Sequence, residues 1–166
     1  MVSPFLLKKA GLHLTAYVFI LMPHNLRVMV SFFGKQWAYG RWAESWTEYN
    51  ISFLEFFPIV AGLGIWSHKL KHRRVLFFAD NESVVYVINK KQRKILNCSG
   101  CCATLVVICL KNNILFRARH IRGKKNILAD HLSRLQIERF KALPPDMNPV
   151  PAPLPAHMLP ENWDTY

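Results

Sequence analysis

Three carboxylates stand in apolar surroundings, and they carry the chemistry that this sequence most clearly offers. Glu55 lies in "FLEFF", Asp80 in "FFADN" and Asp130 in "ILADHL". An ionised carboxylate avoids such surroundings unless it is paired, hydrogen-bonded or bound to a cation. Each acid has a local alternative: Glu55 as the partner of Ser52 in a capping box, Asp80 as a helix cap, and Asp130 as a first-turn acid. Together, oxygen ligands on adjoining elements are what a magnesium site needs.

The elements that must position these acids follow from hydrophobic periodicity and turn residues. The acids are predicted to lie on a helix (Glu55), at the end of a buried strand (Asp80) and on a final helix (Asp130). In chain order the pattern predicts a hairpin in 27–42, a helix in 50–66, a strand in 75–79, a helix in 81–91, a helix in 101–113, a strand in 114–121 and a helix in 127–143. This alternation predicts an α/β layer fold with a mixed sheet, in which ligands sit where strands end and helices begin.

The charge balance favours a polyanionic partner. The chain has 22 Lys and Arg against 10 Asp and Glu, a net charge of +12. Such a field attracts nucleic acid or an anionic surface, although an inert basic domain is the alternative. The stretches "HKLKHRR", "NKKQRK" and "RGKK" are either phosphate contacts or solvated surface, and the predicted nucleic-acid contacts are Lys90, Lys91, Arg93, Arg122, Lys124 and Lys125.

Membrane insertion and secretion are not expected. The apolar run of residues 11–22 is shorter than the roughly 20 residues of a membrane helix, and no small-residue cleavage site follows it. Cys98 and Cys101 have CxxC spacing, but no second pair completes a zinc set. We therefore predict reduced thiols in an intracellular protein of the cytoplasm or nucleus, with Cys102 and Cys109 on a packed helix face.

Four stretches resemble the ribonuclease H domain of retroelement reverse transcriptases, with the DIRS-type elements most alike. They are "GKQWAYGRW", "NISFLEFFPIV", "FFADNESVVYVINKK" and "FRARHIRGKKNILADHLSRLQ". The resemblance covers residues 32–143, and its last motif departs from the family only at Arg122, where proline is usual. It divides the chain into a disrupted or atypical N-terminal segment (1–26), a ribonuclease H-like domain (27–143) and a disordered Pro-rich tail (144–166).

The resemblance implies a fold, a reaction and a set of site residues. The fold would be a ribonuclease H-like mixed sheet flanked by helices. The family's second, third and fourth carboxylates fall on Glu55, Asp80 and Asp130, which would bind two Mg²⁺ or Mn²⁺ ions. His120 matches a histidine that assists catalysis or product release, with a strand-end core histidine as the alternative. The reaction would be hydrolysis of the RNA strand of an RNA–DNA hybrid.

The family's first carboxylate is missing. It normally follows the first strand in a "TDAS" turn, but no acid precedes Glu44, and Thr15-Ala16 stands where "TDA" would be. "LHLTAYVF" begins as that strand should, so whether the first strand forms is left open. The resemblance then implies weak or no hydrolysis. The alternatives are a non-catalytic nucleic-acid-binding remnant and an unrelated basic α/β interaction domain.

Overall fold

A computed structural model describes most of the predicted elements. The described residues are 15–21 (backbone only), 28–42, 51–90, 100–122, 131–132, 134, 136–142 and 147–158. The strands are β1 (Thr15–Leu21), β2 (Val28–Phe33), β3 (Gln36–Arg41), β4 (Arg74–Ala79) and β5 (Leu115–His120). The helices are α1 (Ile51–Leu70), α2 (Glu82–Lys90), α3 (Gly100–Lys111) and α4 (Ile137–Ala142), followed by a 3₁₀ turn (Ala156–Met158).

The described strands form one mixed sheet in the order β3-β2-β1-β4-β5. β1 pairs antiparallel with β2 and parallel with β4, while β5 pairs parallel with β4. The predicted mixed α/β fold is confirmed, and Thr15–Leu21 forms the central strand, which answers the question left open for the first strand. The boundaries predicted for the N-terminal segment and the domain stay predictions. Because β4 and β5 run in the same direction, Asp80 and His120 lie at the same end of these two strands.

One face of the sheet carries the main core, and α1 lies at its centre. Phe57, Ile59 and Leu63 of α1 are fully buried, and they belong to the same cluster as Val75 and Phe77 of β4. The helix is apolar almost all round because it packs on the sheet, on α3 and on the 3₁₀ turn. The sequence signal for α1 was therefore its length and apolarity, not an amphipathic stripe. It begins at Ile51, one residue before the predicted cap Ser52.

The opposite face holds a smaller cluster, which anchors α4. Phe140 is fully buried, with its ring centroid 4.9 Å from that of Trp37 and 5.7 Å from that of Phe32. The prediction of one continuous final helix in 127–143 is wrong: His131 and Leu132 are helical, Arg134 is in a turn, and α4 begins at Ile137. His131 and Gln136 close the turn before it, since the Gln136 amide N donates to the His131 carbonyl oxygen (2.9 Å). The turn allows Phe140 to enter the cluster.

Residues 147–158 correct the prediction of a disordered tail. The Asn148 amide donates to the Lys35 carbonyl (2.9 Å), the Ala152 amide donates to the Trp37 carbonyl (2.7 Å), and Trp37 Nε1 donates to the Asn148 carbonyl (2.8 Å). The segment therefore runs along the outer edge of β3, where it satisfies edge carbonyls that would otherwise face water. Met158 is buried against α1 at Gly64, where a Cβ would lie 2.7 Å from Met158.

Three cysteines of α3 are buried thiols, Cys101, Cys102 and Cys109, and this confirms the packed face predicted for Cys102 and Cys109. Burial raises the pKa of the Cys109 thiol to about 12 and that of Cys101 further. Both thiols are therefore unreactive at neutral pH. None of the described helices is both long and apolar enough to cross a membrane.

Candidate metal site at the end of β4

The helix cap after β4 is Asn81. Its side-chain Oδ1 accepts hydrogen bonds from the backbone amides of Ser83 (2.7 Å) and Val84 (3.3 Å). These are the first amides of α2, which have no partner inside the helix. Asn81 therefore makes the cap that was predicted as the alternative role of Asp80.

Asn81 also connects this strand end to α1. Its Nδ2 donates to Oε2 of Glu55, which is half-buried in the second turn of α1. One amide side chain thus fixes the start of α2 and orients the carboxylate of Glu55. This role was not predicted from the sequence, although Asn directly after a predicted strand and before "ESVV" is a recognisable cap signal.

Glu55 and Asp80 form an electrostatically coupled pair. The pKa of Glu55 is raised from its ordinary value of 4.5, first by burial and second by the nearby negative charge of Asp80, while the hydrogen bond from Asn81 lowers it. Two carboxylates held together repel one another when both are ionised. The structure therefore brings two of the three predicted ligands together. Asp130 lies outside the described residues, so its convergence with them stays a prediction.

The coupled pair predicts a pH-dependent effect of Glu55→Gln. Because the pKa of Glu55 is higher in the folded state, its contribution to stability is full below about pH 4.5 and is lost as the pH rises through the folded pKa. Glutamine removes the charge and can still accept the bond from Asn81. Because Glu55 is only partly buried, solvent screening weakens the repulsion, and without divalent cations the variant should be more stable than wild type by only about 0.5–1 kcal/mol at pH 7. The gain should vanish near pH 4.

Thermal unfolding in EDTA at both pH values measures this difference. Glu138→Gln is the matched control, since Glu138 is an exposed carboxylate on α4 and no shift of stability is expected there. A wild type more stable than Glu55→Gln at pH 7, or a gain of equal size at both pH values, would contradict the coupling.

His120 lies at the same edge of the sheet. Its Nε2 donates to the backbone carbonyl of Asp80 (3.1 Å), and its Nδ1 lies 4.0 Å from Glu82 Oε1, an ion pair when the ring is protonated. The side chain is 35% exposed. The alternative of a core histidine is therefore wrong, and the ring is placed where it could contact a ligand of the carboxylates.

The paired carboxylates fit a hard divalent cation. Their donors are oxygens, which Mg²⁺ and Mn²⁺ prefer, and a cation would neutralise the repulsion that raises the pKa of Glu55. Within the described residues, no group of three or more His, Cys, Asp or Glu side chains is arranged to hold a metal ion. The described part of the site thus supplies two carboxylates, Glu55 and Asp80.

Comparison with solved structures shows a likeness to a ribonuclease H domain. It is the N-terminal domain of Rv2228c from Mycobacterium tuberculosis, studied as a fusion with maltose binding protein. The match has 11% sequence identity and a TM-score of 0.48, and it covers 78% of this chain and 98% of that one. No family model matches the sequence. No curated protein matches it either.

Two of the predicted nucleic-acid contacts lie among the described residues. Arg122 is exposed just beyond β5, at the same edge as Asp80 and His120. Lys90 ends α2, about 12 Å along the helix from Glu82, and its ammonium group lies over the Tyr86 ring, 4.3 Å from the centroid. Lys91, Arg93, Lys124 and Lys125 lie outside the described residues. Of the two described residues, Arg122 follows the strand end that carries His120, whereas Lys90 lies at the far end of α2.

The basic stretch "HKLKHRR" is far from the carboxylates. It joins α1 to β4 and ends at Arg74, the first residue of β4. Asp80 follows the last residue of β4, so about 20 Å of extended chain separates Arg74 from Asp80. Phosphates bound at this stretch would therefore not be those at the candidate metal site.

The pairing of β1 with β4 shows which position of β1 lies beside Asp80, where the family's first carboxylate would be needed. Thr15 pairs with Arg74 and Phe19 with Phe78, so Thr15 lies at the end of β4 away from Asp80. Continued by two residues, the register places position 21 beside Asp80. The prediction that Thr15-Ala16 marks the gap is wrong. Residues 15–21, "TAYVFIL", contain no carboxylate at all, so β1 contributes no acidic ligand.

Proposed function

We propose that this chain is a ribonuclease H-like domain from a retrotransposon-derived reverse transcriptase, with a DIRS-type element as the source. It binds RNA–DNA hybrids, and it hydrolyses their RNA strand weakly or not at all. One observation carries this function: Glu55 and Asp80 are coupled at the end of β4, beside the half-exposed His120. The net charge of +12 and the motifs around these residues support it.

Each residue has a part in the proposed site. Glu55 and Asp80 would hold Mg²⁺ or Mn²⁺, with Asp130 as a third ligand. When bound, the metal supplies an activated water and stabilises the leaving oxygen. Asn81 fixes the orientation of Glu55 through its hydrogen bond. His120, held by the Asp80 carbonyl, would contact the scissile phosphate or the released product.

A non-catalytic nucleic-acid-binding domain is the second candidate. The observation that favours it is the absence of any carboxylate in β1, which leaves the metals one ligand short of the family's set. An unrelated basic interaction domain is the third candidate, and it predicts no response to divalent metals.

Cleavage of a labelled RNA–DNA hybrid in Mg²⁺ or Mn²⁺ tests the proposal. We expect slow cleavage or none from the wild type, and any cleavage should disappear in Asp80→Asn but persist in Glu138→Gln. Hybrid binding without metal should be equal in all three proteins. Cleavage that survives Asp80→Asn would contradict the site. Rapid cleavage abolished by Asp80→Asn would contradict the impairment.

A further inference from the structure

Three arginines lie on one face of the sheet, along the neighbouring strands β4 and β5. Arg74 pairs with Leu115, Leu76 with Arg117, and Phe78 with Arg119. Paired residues project from the same face, so Arg74, Arg117 and Arg119 lie together on it; we call them the arginine row. Val75, Phe77 and Ala118 occupy the other face and are buried in the main core. All three arginines are exposed.

The arginine row runs along β4 and β5 towards the strand ends that carry Asp80 and His120, on the face of the sheet opposite to α1. Arg117 and Arg119 are about 6.6 Å apart along β5, and the whole row spans about 13 Å. Arg119 directly precedes His120, and Arg122 follows at the same edge. At its far end the row continues into the exposed Lys71 and Arg73. A duplex carries one charge per about 1.7 Å of axis with both strands counted, so about eight phosphates lie along this length of duplex and some of them face the row.

Edge protection is the competing explanation for charged residues on β5, since charged side chains block unwanted strand pairing. Here Asn89 of α2 already closes the edge. Its Nδ2 donates to the Ala118 carbonyl (2.8 Å), and its Oδ1 accepts from the Ala118 amide (2.9 Å). The outer backbone groups in the middle of β5 are therefore occupied, and the arginines are not needed to protect them.

The chemistry of the row is that of phosphate recognition. No carboxylate of the described residues forms an ion pair with Arg74, Arg117 or Arg119. Arginine binds phosphate through two parallel N–H groups, whereas lysine acts as a point charge. Helices α1 to α3 contain no arginine, and their basic residues are His68, Lys69, Lys90 and Lys111.

We infer that the arginine row binds the phosphate backbone of double-helical nucleic acid and guides it to the end of β4, where Asp80 lies. This inference rests on the proposed function for the identity of the partner. It adds a binding surface on β4 and β5 made of arginines to which the resemblance assigns no role. Because the row binds phosphates, it contributes affinity without sequence preference.

Salt-dependent binding of the full chain tests the row. Fluorescence anisotropy would follow a labelled RNA–DNA hybrid and a labelled DNA duplex in EDTA, where metal-dependent cleavage cannot occur. The double variant Arg117→Gln/Arg119→Gln should bind both more weakly. The slope of log K against log salt should fall by about 2, or about one for each arginine that no longer binds a phosphate. The control Arg41→Gln/Arg139→Gln removes two exposed arginines away from the row and should keep the wild-type slope.

Each other outcome has a defined meaning, provided that thermal unfolding shows both double variants folded. An unchanged slope for Arg117→Gln/Arg119→Gln overturns the row, even if the wild type cleaves hybrids. If the wild type never cleaves hybrids but the slope falls in Arg117→Gln/Arg119→Gln, the row is supported and only the proposed hydrolysis fails. Failure of the wild type to bind either duplex overturns both. Binding to phosphatidylserine vesicles is measured in parallel. If Arg117→Gln/Arg119→Gln loses vesicle binding but keeps duplex binding, the row binds membrane lipids, and the inference of a nucleic-acid surface is overturned.

Discussion

Replacing Trp37 with alanine is expected to lower the free energy of unfolding by about 3–5 kcal/mol. Trp37 is 2% exposed and packs against Phe140 and Tyr39 on the smaller core face. Its Nε1 also holds the Asn148 carbonyl of the segment along β3. The substitution thus removes a large buried ring and one anchor of residues 147–158 together. Urea denaturation measures the loss.

Two control variants separate the parts of this effect. Trp37→Phe keeps an aromatic ring beside Phe140 but cannot donate to Asn148, so it should cost about 1–2 kcal/mol. Trp66→Ala creates a similar cavity in the main core, away from Asn148. Limited proteolysis within residues 147–158 should speed up in both Trp37 variants under native conditions, but not in Trp66→Ala. A loss of stability below about 1 kcal/mol for Trp37→Ala would contradict the packing described.

Manganese is expected to stabilise the wild type but not Asp80→Asn. The carboxylates of Glu55 and Asp80 repel each other without a cation, and a divalent ion reverses that interaction. A ligand that binds only the folded state at 100 times its Kd contributes about 2.7 kcal/mol. For a domain of this size, that corresponds to a rise in Tm of roughly 5–10 °C. Asparagine at position 80 removes one ligand charge and should abolish most of the shift.

Calorimetry with and without Mn²⁺ measures the shift at pH 7. Glu55→Gln should lose it as Asp80→Asn does, although Glu55→Gln starts from a higher Tm in EDTA. Glu138→Gln should keep the full shift, because this exposed carboxylate on α4 is not part of the pair. Equal Mn²⁺ shifts in the wild type and Asp80→Asn would mean that the ion binds elsewhere.

Local patterns were sufficient to predict several elements. The hairpin followed from two β-rich runs around Gly34, whose φ of +60° suits glycine at a tight turn. The strand ending before Asp80 and the helix after it followed from a change in hydrophobic period within "VLFFADNESVVYVINKK". The end of α3 followed from Asn113, which has a φ of +50°. Each signal lies within a few residues of the feature it determines.

Other features depend on interactions between distant residues, which a local pattern does not contain. The proline-rich composition of 144–166 predicted disorder, yet residues 147–158 bind β3 more than 100 residues away through Trp37. The bond from Asn81 to Glu55 spans 26 residues. The register of β1 against β4, which separates Thr15 from Asp80, is likewise a tertiary property. Asp80 and Glu55 were predicted as ligands of one site, whereas the amide of Asn81 that links the two elements is visible only in the fold.

The most direct test is an anomalous difference map from crystals of the full chain soaked in Mn²⁺. We predict a peak bound by the carboxylates of both Glu55 and Asp80, and the same map will show whether Asp130 is a third ligand. Asn81 should still donate to Glu55, and crystals of Asp80→Asn should lack the peak. No peak between Glu55 and Asp80 in the wild type, or carboxylates that point apart, would contradict the proposed metal site.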